Sequence, residues 1–170
     1  VNYLTTPPVV TIVNAVAVNT GVTVNLGTAT AQNTVAAGID TLISIENVIG
    51  TDFDDTITGN GADNTIEGAL GTNILNGGAG NDTLSFVGAT TGISFDIAVN
   101  LTGTITVSDG QGGSDTVSNF EYAVGGSGHD TITGSAGANS ISGGAGDDSL
   151  MGGLGADTLL GGDGNDLFVG

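Results

Sequence analysis

The sequence predicts an all-β protein whose short strands stack into a solenoid. A nine-residue pattern recurs, G-G-x-G-x-D-x-U-x with U a large apolar residue; its clearest copy spans residues 77–85, and similar copies start at Gly125, Gly143, Gly152 and Gly161. Position 8 is flanked mostly by Thr or Ser, as a strand with one buried face requires. Glycine at positions 1, 2 and 4 allows positive φ and close backbone approach in a turn. The residues at position 8 are Ile57, Ile66, Leu75, Leu84, Ile132, Ile141, Leu150, Leu159 and Phe168.

A longer repeat organises the chain. Residues 22–85 align with residues 97–160 at a constant offset without gaps, so the chain contains two tandem copies of one unit. The Val, Ile, Thr and Phe residues of the segments that precede each block of nonapeptides favour strands, and we expect wider, irregular coils there. The predicted organisation is one continuous solenoid with an N-terminal extended lead and strand (1–21), a first repeat unit (22–85), the strand-rich lead of the second unit (86–124) and a second nonapeptide block (125–170).

The composition excludes several classes of function. The chain has no Lys and no Arg against 18 Asp plus Glu, a net charge of −18. It therefore cannot clamp nucleic acid phosphates or bind anionic lipid through basic residues. One His and no Cys provide neither a nucleophile–base pair nor a zinc site, so we expect no enzymatic activity. The acidic chain repels itself when compact, and bound divalent cations would compensate that repulsion. We therefore expect disorder without the cation and folding with it.

From about residue 22 onward the chain resembles the RTX, or haemolysin-type calcium-binding, family. The resemblance implies a right-handed parallel β-roll in which two repeats make one turn, so that each repeat stacks on the second repeat after it. It implies several Ca²⁺ ions between stacked turns, with position-6 side chains and the backbone carbonyls of positions 2 and 4 as ligands. The implied side-chain ligands are Asp55, Asn64, Asn73, Asp82, Asp130, Asn139, Asp148, Asp157 and Asp166. The implied carbonyl ligands are those of Gly78, Gly80, Gly126, Gly128, Gly144, Gly146, Gly153, Gly155, Gly162 and Gly164.

The register predicts which position-6 side chains face one another. The stacked pairs are Asp55 with Asn73, Asn64 with Asp82, Asp130 with Asp148, Asn139 with Asp157, and Asp148 with Asp166. The second block alone contains Asp–Asp pairs, and because calcium affinity rises with ligand charge we expect the tightest sites there. The first block lacks turn glycines at Thr51, Asn60 and Ala69, so its early sites are expected to be weak or empty.

Two functions remain open. The resemblance implies a secreted bacterial protein, exported by a type I system, at an extracellular or cell-surface location where calcium is abundant. The first function is an extracellular structural or assembly module, such as part of an adhesin, surface layer or filament. The alternative is the calcium-triggered folding and secretion module of a secreted enzyme or toxin whose catalytic domain lies elsewhere.

The ends of the chain predict a partner besides calcium. Outward positions late in the chain become apolar at Met151, Leu160, Leu167 and Val169, without a polar cap. Either the chain continues into a longer array or copies associate head to tail. We expect a processed or excised chain, since it starts at Val1 without a visible signal peptide. Membrane insertion is not expected, because the longest apolar stretch, Val9–Val18, is too short to span a bilayer.

Overall fold

Short strands are the main regular secondary structure of the residues that the structure describes. A computed structural model describes residues 9–11, 20–35, 38–98 and 103–169, and within these ranges helical backbone occurs at Ile97 and Ala98 alone. The predicted lead at 1–8 and most of the strand predicted at 9–18 lie outside the described residues. In chain order the strands are β1 (Val9–Thr11), β2 (Thr23–Asn25), β3 (Gln32–Val35), β4 (Gly38–Asp40), β5 (Asn47–Ile49), β6 (Thr56–Thr58), β7 (Thr65–Glu67), β8 (Ile74–Asn76), β9 (Thr83–Ser85), β10 (Ser94–Asp96), β11 (Ile105–Ser108), β12 (Ser114–Ser118), β13 (Tyr122–Val124), β14 (Thr131–Thr133), β15 (Ser140–Ala145), β16 (Ser149–Met151), β17 (Thr158–Asp163) and β18 (Leu167–Val169).

The chain passes back and forth between one long sheet and two short sheets. The long sheet has the order β1-β5-β7-β9-β13-β15-β17, the first short sheet β11-β12-β8-β6-β2, and the second short sheet β10-β14-β16-β18. Within the nonapeptide blocks neighbouring strands are parallel, and each strand pairs with the strand of the second repeat after it, as in Thr56 with Ile74 and Thr131 with Ser149. The predicted parallel β-roll with two repeats per turn is therefore confirmed.

The long sheet continues from the first block into the second. Strand β9 pairs in parallel with β13 through Thr83 and Tyr122, although most of the lead of the second unit separates these residues in sequence. Strand β8 likewise pairs with β12. The intervening lead is thus accommodated without interrupting the stack of strands at the seam between the blocks.

The apolar core lies between the sheets and consists largely of the predicted position-8 side chains. Seven of them are buried, with Ile57, Ile66, Leu84 and Ile132 at 0% exposure. Leu159 is only partly buried and packs against the core, whereas Phe168 in the last coil is 51% exposed. Alternate residues of each three-residue strand point inward, so one apolar residue per repeat suffices to build a continuous core.

The leads differ from the expectation of wider coils alone, because each contains an antiparallel hairpin. Strand β3 pairs with β4 and β11 pairs with β12. The hairpin pairs Gln32 with Asp40 in the first lead and Val107 with Asp115 in the second. Under the long repeat Gln32 corresponds to Val107 and Asp40 to Asp115, so the two hairpins are equivalent.

The ungapped alignment is wrong at the start of the two units, because it makes residues 22–26 equivalent to residues 97–101. In the structure Thr23 pairs with Thr56, whereas Ser94 pairs with Thr131. Since Thr131 is the counterpart of Thr56, Ser94 is the counterpart of Thr23 and precedes the segment that the alignment assigned. The two units are therefore equivalent only when a gap is placed after their first strands.

No helix within the described residues is both long and apolar enough to cross a membrane.

Candidate metal centre

The turns place the position-6 side chains inside the molecule. Position 6 is the last residue before each strand, so its side chain closes the turn from within. Asp157 and Asp166 are partly buried. The other seven are at most 3% exposed, namely Asp55, Asn64, Asn73, Asp82, Asp130, Asn139 and Asp148. Burying so many acidic and amide groups requires hydrogen-bond donors or a cation as partners.

All five predicted stacked pairs are brought together by one recurring hydrogen bond. The backbone N–H of a position-6 residue donates to Oδ1 of the position-6 side chain one coil further along, as from Asp130 to Asp148 at 2.8 Å and from Asp148 to Asp166 at 3.1 Å. The remaining three pairs repeat this bond at 2.8–3.0 Å, from Asp55 to Asn73, from Asn64 to Asp82 and from Asn139 to Asp157. The side chains thus form ladders along the edges of the strands.

Two carboxylates outside the nonapeptides complete these ladders at the seam. Asn73 N–H donates to Asp115 Oδ1 at 3.0 Å, and Asp82 N–H donates to Glu121 Oε2 at 2.8 Å. Asp115 comes directly before Thr116, which stacks on β8, and Glu121 comes directly before Tyr122, which stacks on β9. In a nonapeptide, position 6 likewise comes directly before the strand. The segment Asp115–Ser118 carries the D-x-U-x half of the motif, a signal that could have identified it.

Position 1 is glycine in all nine repeats because the position-6 side chain lies over its Cα atom. A Cβ built there would come within 3.0 Å of the position-6 side chain of the same repeat in every case. At Gly143, for example, it would meet Asp148 Oδ2 and the Gly161 carbonyl oxygen. None of these nine glycines has positive φ. The requirement at position 1 is therefore close approach, and not the left-handed backbone that the sequence reasoning also allowed.

Positive φ occurs instead at positions 2 and 4 of five repeats. Four of them have glycine at both positions, namely Gly78 and Gly80, Gly144 and Gly146, Gly153 and Gly155, and Gly162 and Gly164. In the fifth, Ala69 takes a φ of 62° beside Gly71. A Cβ on Gly162 or Gly164 would meet the carbonyl oxygen of Gly144 or Gly146, so these carbonyls point at the next coil.

The turn that holds Gly126 and Gly128 has a different backbone. Neither residue has positive φ, although the sequence predicted the same turn as elsewhere. The reason is the lead segment packed against it, since Ser127 N–H donates to the Ala89 carbonyl at 2.9 Å and a Cβ on Gly128 would collide with Gly92.

The donor set fits a hard cation at two places. Within the described residues, Asp82 Oδ2 and Asp148 Oδ2 are buried without a hydrogen-bond partner. Burial raises the pKa of Asp148, and the carboxylates of Asp130 and Asp166 raise it further against the hydrogen bond from Asp130 N–H. Burial likewise raises the pKa of Asp82 to about 6, with Glu121 adding to the rise. An uncompensated carboxylate oxygen in such a site is a ligand for Ca²⁺.

Backbone oxygens could supply further ligands for such a cation. No group of three or more His, Cys, Asp or Glu side chains in the described part of the chain is arranged to hold a metal. Calcium takes six to eight oxygen ligands, and peptide carbonyls are among those it accepts. The carbonyls of positions 2 and 4 that face the next coil are the available complement to a pair of stacked carboxylates.

The hairpin of the second lead holds a further acidic pair. Asp109 and Asp115 are each 2% exposed. Gly113 N–H donates to Asp109 Oδ1 at 2.9 Å. Burial raises the pKa of Asp115 to about 6, and Asp109 and Asp55 raise it as well, while hydrogen bonds from Asn73 lower it. This pair is already supplied with N–H donors by the backbone and by Asn73.

Stacked parallel coils, inward carboxylates and glycine turns define a calcium-binding parallel β-solenoid. Residues 49–84, 124–159 and 146–170 match the family model of the RTX calcium-binding nonapeptide repeat, whose description specifies four copies of the repeat. These parts of the chain are therefore RTX calcium-binding repeats, and such repeats bind several Ca²⁺ ions. A search of curated proteins finds no match to the chain.

Proposed function

We propose that this chain is a calcium-loaded β-roll that serves as an extracellular structural and assembly module. The observation that carries the proposal is the column Asp130–Asp148–Asp166, in which three carboxylates stack in successive coils and one buried oxygen has no partner within the described residues. No Lys or Arg is present to neutralise it. Calcium between the coils would join neighbouring turns and remove the repulsion.

The proposed ligands are the position-6 carboxylates together with the carbonyls at positions 2 and 4 of the glycine turns. Each ion would lie between two stacked turns and take one carboxylate from each. Asp148 would serve two ions, because it stacks on Asp130 below and on Asp166 above. Since these pairs exist only in the folded roll, the free energy of calcium binding would become free energy of folding.

The proposed location is outside the cell, at the bacterial surface. RTX repeats are typical of secreted proteins. Extracellular calcium sites bind at roughly 10⁻⁴–10⁻³ M, a concentration range found outside cells and not in cytosol. Export by a type I system before calcium-driven folding would be consistent with such a gradient.

The proposed assembly is head to tail. The last coil exposes Leu160 by 62%, Leu167 by 60% and Phe168 by 51%, and Phe168 occupies an inward position of the repeat. At the internal seam, a coil of the same kind is covered by β12 and β13 of the next unit. A further repeat of a longer array or a second copy could cover the last coil in the same way. Contact with a second copy is heterologous and would give a fibre where its rotation does not close.

Electron microscopy of the chain in millimolar calcium, with and without EGTA, tests the assembly. We expect fibres that dissolve when EGTA removes the calcium, and fewer fibres for Phe168→Asp. A rod that stays monomeric with calcium bound would reject the assembly role. It would favour the second candidate, a calcium-triggered folding module attached to the catalytic domain of a secreted enzyme or toxin.

A further inference from the structure

We infer that Asn64 and Asn139 close their turns with a side-chain amide in place of a calcium ion. The inference deepens the proposed function and rests on it. In each unit of the roll, one turn would close without a cation, although its place in the nonapeptide is the same as that of the turns that bind one. Asn64 and Asn139 occupy the same place in the two units and are 1% and 3% exposed.

The amide of Asn139 has a partner on both sides. Its Oδ1 accepts the backbone N–H of Ser135 at 2.6 Å and the Ser135 hydroxyl at 3.2 Å. Its Nδ2 donates to the Glu121 carbonyl, one coil earlier, at 2.8 Å. Since a backbone N–H can only donate and a carbonyl can only accept, these two partners fix the orientation of the amide.

Asn64 repeats the arrangement in the first unit. Its Oδ1 accepts the Asn60 N–H at 2.8 Å, and its Nδ2 donates to the Glu46 carbonyl at 3.2 Å. Glu46 is the counterpart of Glu121 under the long repeat. The same bridge between two coils therefore occurs at the same place of both units.

An aspartate at this position cannot make the bridge. Asp130 accepts the Gly126 N–H through Oδ2 at 2.8 Å, as the asparagines do through Oδ1, but a carboxylate has no N–H to donate to a carbonyl one coil earlier. In the Asp turns that carbonyl and the carboxylate are both acceptors, so no such bridge forms and the carboxylate keeps its negative charge for a cation. In the Asn turns the amide brings no negative charge and its NH₂ group carries the positive end of a dipole, so the turn closes without one.

The backbone of the two turns also differs from that of the glycine turns, a feature that they share with the turns before Asp55 and Asp130. Positions 2 and 4 are Asn60 and Ala62 in one turn and Ser135 and Gly137 in the other, and none of these residues has positive φ. The repeats that start at Gly77, Gly143, Gly152 and Gly161 have positive φ at both positions. The carbonyls of the two Asn turns are therefore oriented differently from those of the glycine turns.

The test compares calcium stoichiometry, measured by titration calorimetry, in the full chain and its variants. We expect Asn139→Asp to bind one more ion per chain than the wild type, because the substitution replaces the amide by a carboxylate opposite Asp157. The exposed Asn81→Asp adds the same charge outside the ladder and should leave the number of ions unchanged. Asn64→Asp provides a second, independent gain.

Truncation separates the amide bridge from an ion. Asn139→Ala should bind as many ions as the wild type but unfold at a lower temperature in saturating calcium, because the bridge to Glu121 is lost. Loss of one ion in Asn139→Ala, or no gain in both Asp variants while the wild type binds calcium, would overturn the inference. A wild-type chain that binds no calcium would instead reject the proposed function.

Discussion

The first block of repeats, residues 50–85, and the second, residues 125–169, share a backbone plan but differ in charge. Both stack each strand in parallel on the strand two repeats away and bury one apolar side chain per repeat, except in the last coil, where Leu159 is partly buried and Phe168 is exposed. The ladder of the first block contains Asp55, Asn73 and Asp115, whereas the equivalent ladder of the second contains Asp130, Asp148 and Asp166. Position 8 of the nonapeptide therefore determines the stacking of the strands, whereas position 6 determines whether a stacked pair needs a cation.

The middle member of each ladder shows what this difference does. Asn73 and Asp148 are counterparts in the two units. Asn73 Nδ2 donates to Asp115 Oδ1 at 2.8 Å, so the amide supplies one of the hydrogen bonds that the buried carboxylate needs. Asp148 has no such donor to offer, and within the described residues its Oδ2 lacks a partner. We therefore expect this ladder of the second block to depend more strongly on calcium than its counterpart in the first.

The largest effect is expected from Gly143→Ala. The added methyl group would collide with Asp148 Oδ2 and the Gly161 carbonyl. Because backbone and a buried carboxylate cannot move aside cheaply, we expect the second block to lose about 3 kcal/mol of unfolding free energy or more. Urea denaturation in millimolar calcium measures it. Gly61→Ala is the matched control, since a Cβ there meets nothing within 4 Å; equal stability of the two variants would contradict the steric account.

A smaller effect is expected from truncating the two middle residues of the ladders. Asp148→Ala removes a carboxylate shared by two proposed sites, so calcium affinity should fall about tenfold at each, equivalent to about 1.4 kcal/mol. Asn73→Ala should change calcium affinity little while lowering stability through its lost hydrogen bonds. Calorimetric titration of both variants compares the blocks directly. Equal losses of affinity would show that the ladders do not differ in the way proposed.

The smallest effect concerns pH in the absence of calcium. The pKa values of Asp82 and Asp115 are raised to about 6 in the folded chain, against about 4 in an unfolded one. Because the folded state then binds more protons between these values, its stability falls as pH rises through about 6 and recovers on acidification. In EGTA we expect more β structure by circular dichroism at pH 5 than at pH 7.5. Asp115→Asn should reduce the difference; an increase in β structure towards pH 7.5 would show the sign to be wrong.

The repeating part of the fold was predictable because its signal is local. An apolar residue at position 8 and a polar or glycine-rich turn before it are read within a single nonapeptide, and stacking then places Ile57 over Leu75 and Ile132 over Leu150. The five position-6 pairs were predicted from the same spacing, in which each repeat stacks on the second repeat after it. Each of these contacts joins equivalent positions of two repeats, so one register determines all of them.

The non-repeating part was less predictable because its contacts depend on how a lead crosses the roll. Nothing local to Glu121 shows that it will accept the Asp82 N–H from the far side of the second lead. The gap that makes Ser94 the counterpart of Thr23 likewise reflects lead lengths that an ungapped alignment cannot accommodate. The ligand assignment of the position-6 residues remains a prediction, and for Asn64 and Asn139 the structure favours an amide bridge instead.

Circular dichroism of the calcium-loaded chain before and after EGTA at pH 7.5 tests most directly whether calcium bound by the stacked carboxylates drives folding. We predict a β-rich spectrum with calcium, loss of that spectrum in EGTA, and its recovery when calcium is added in excess. With a net charge of −18 and neither Lys nor Arg, the apo chain lacks the basic side chains that would otherwise neutralise its ladders. A β-rich spectrum that is unchanged by EGTA, with no calcium detected in the protein, would contradict the account.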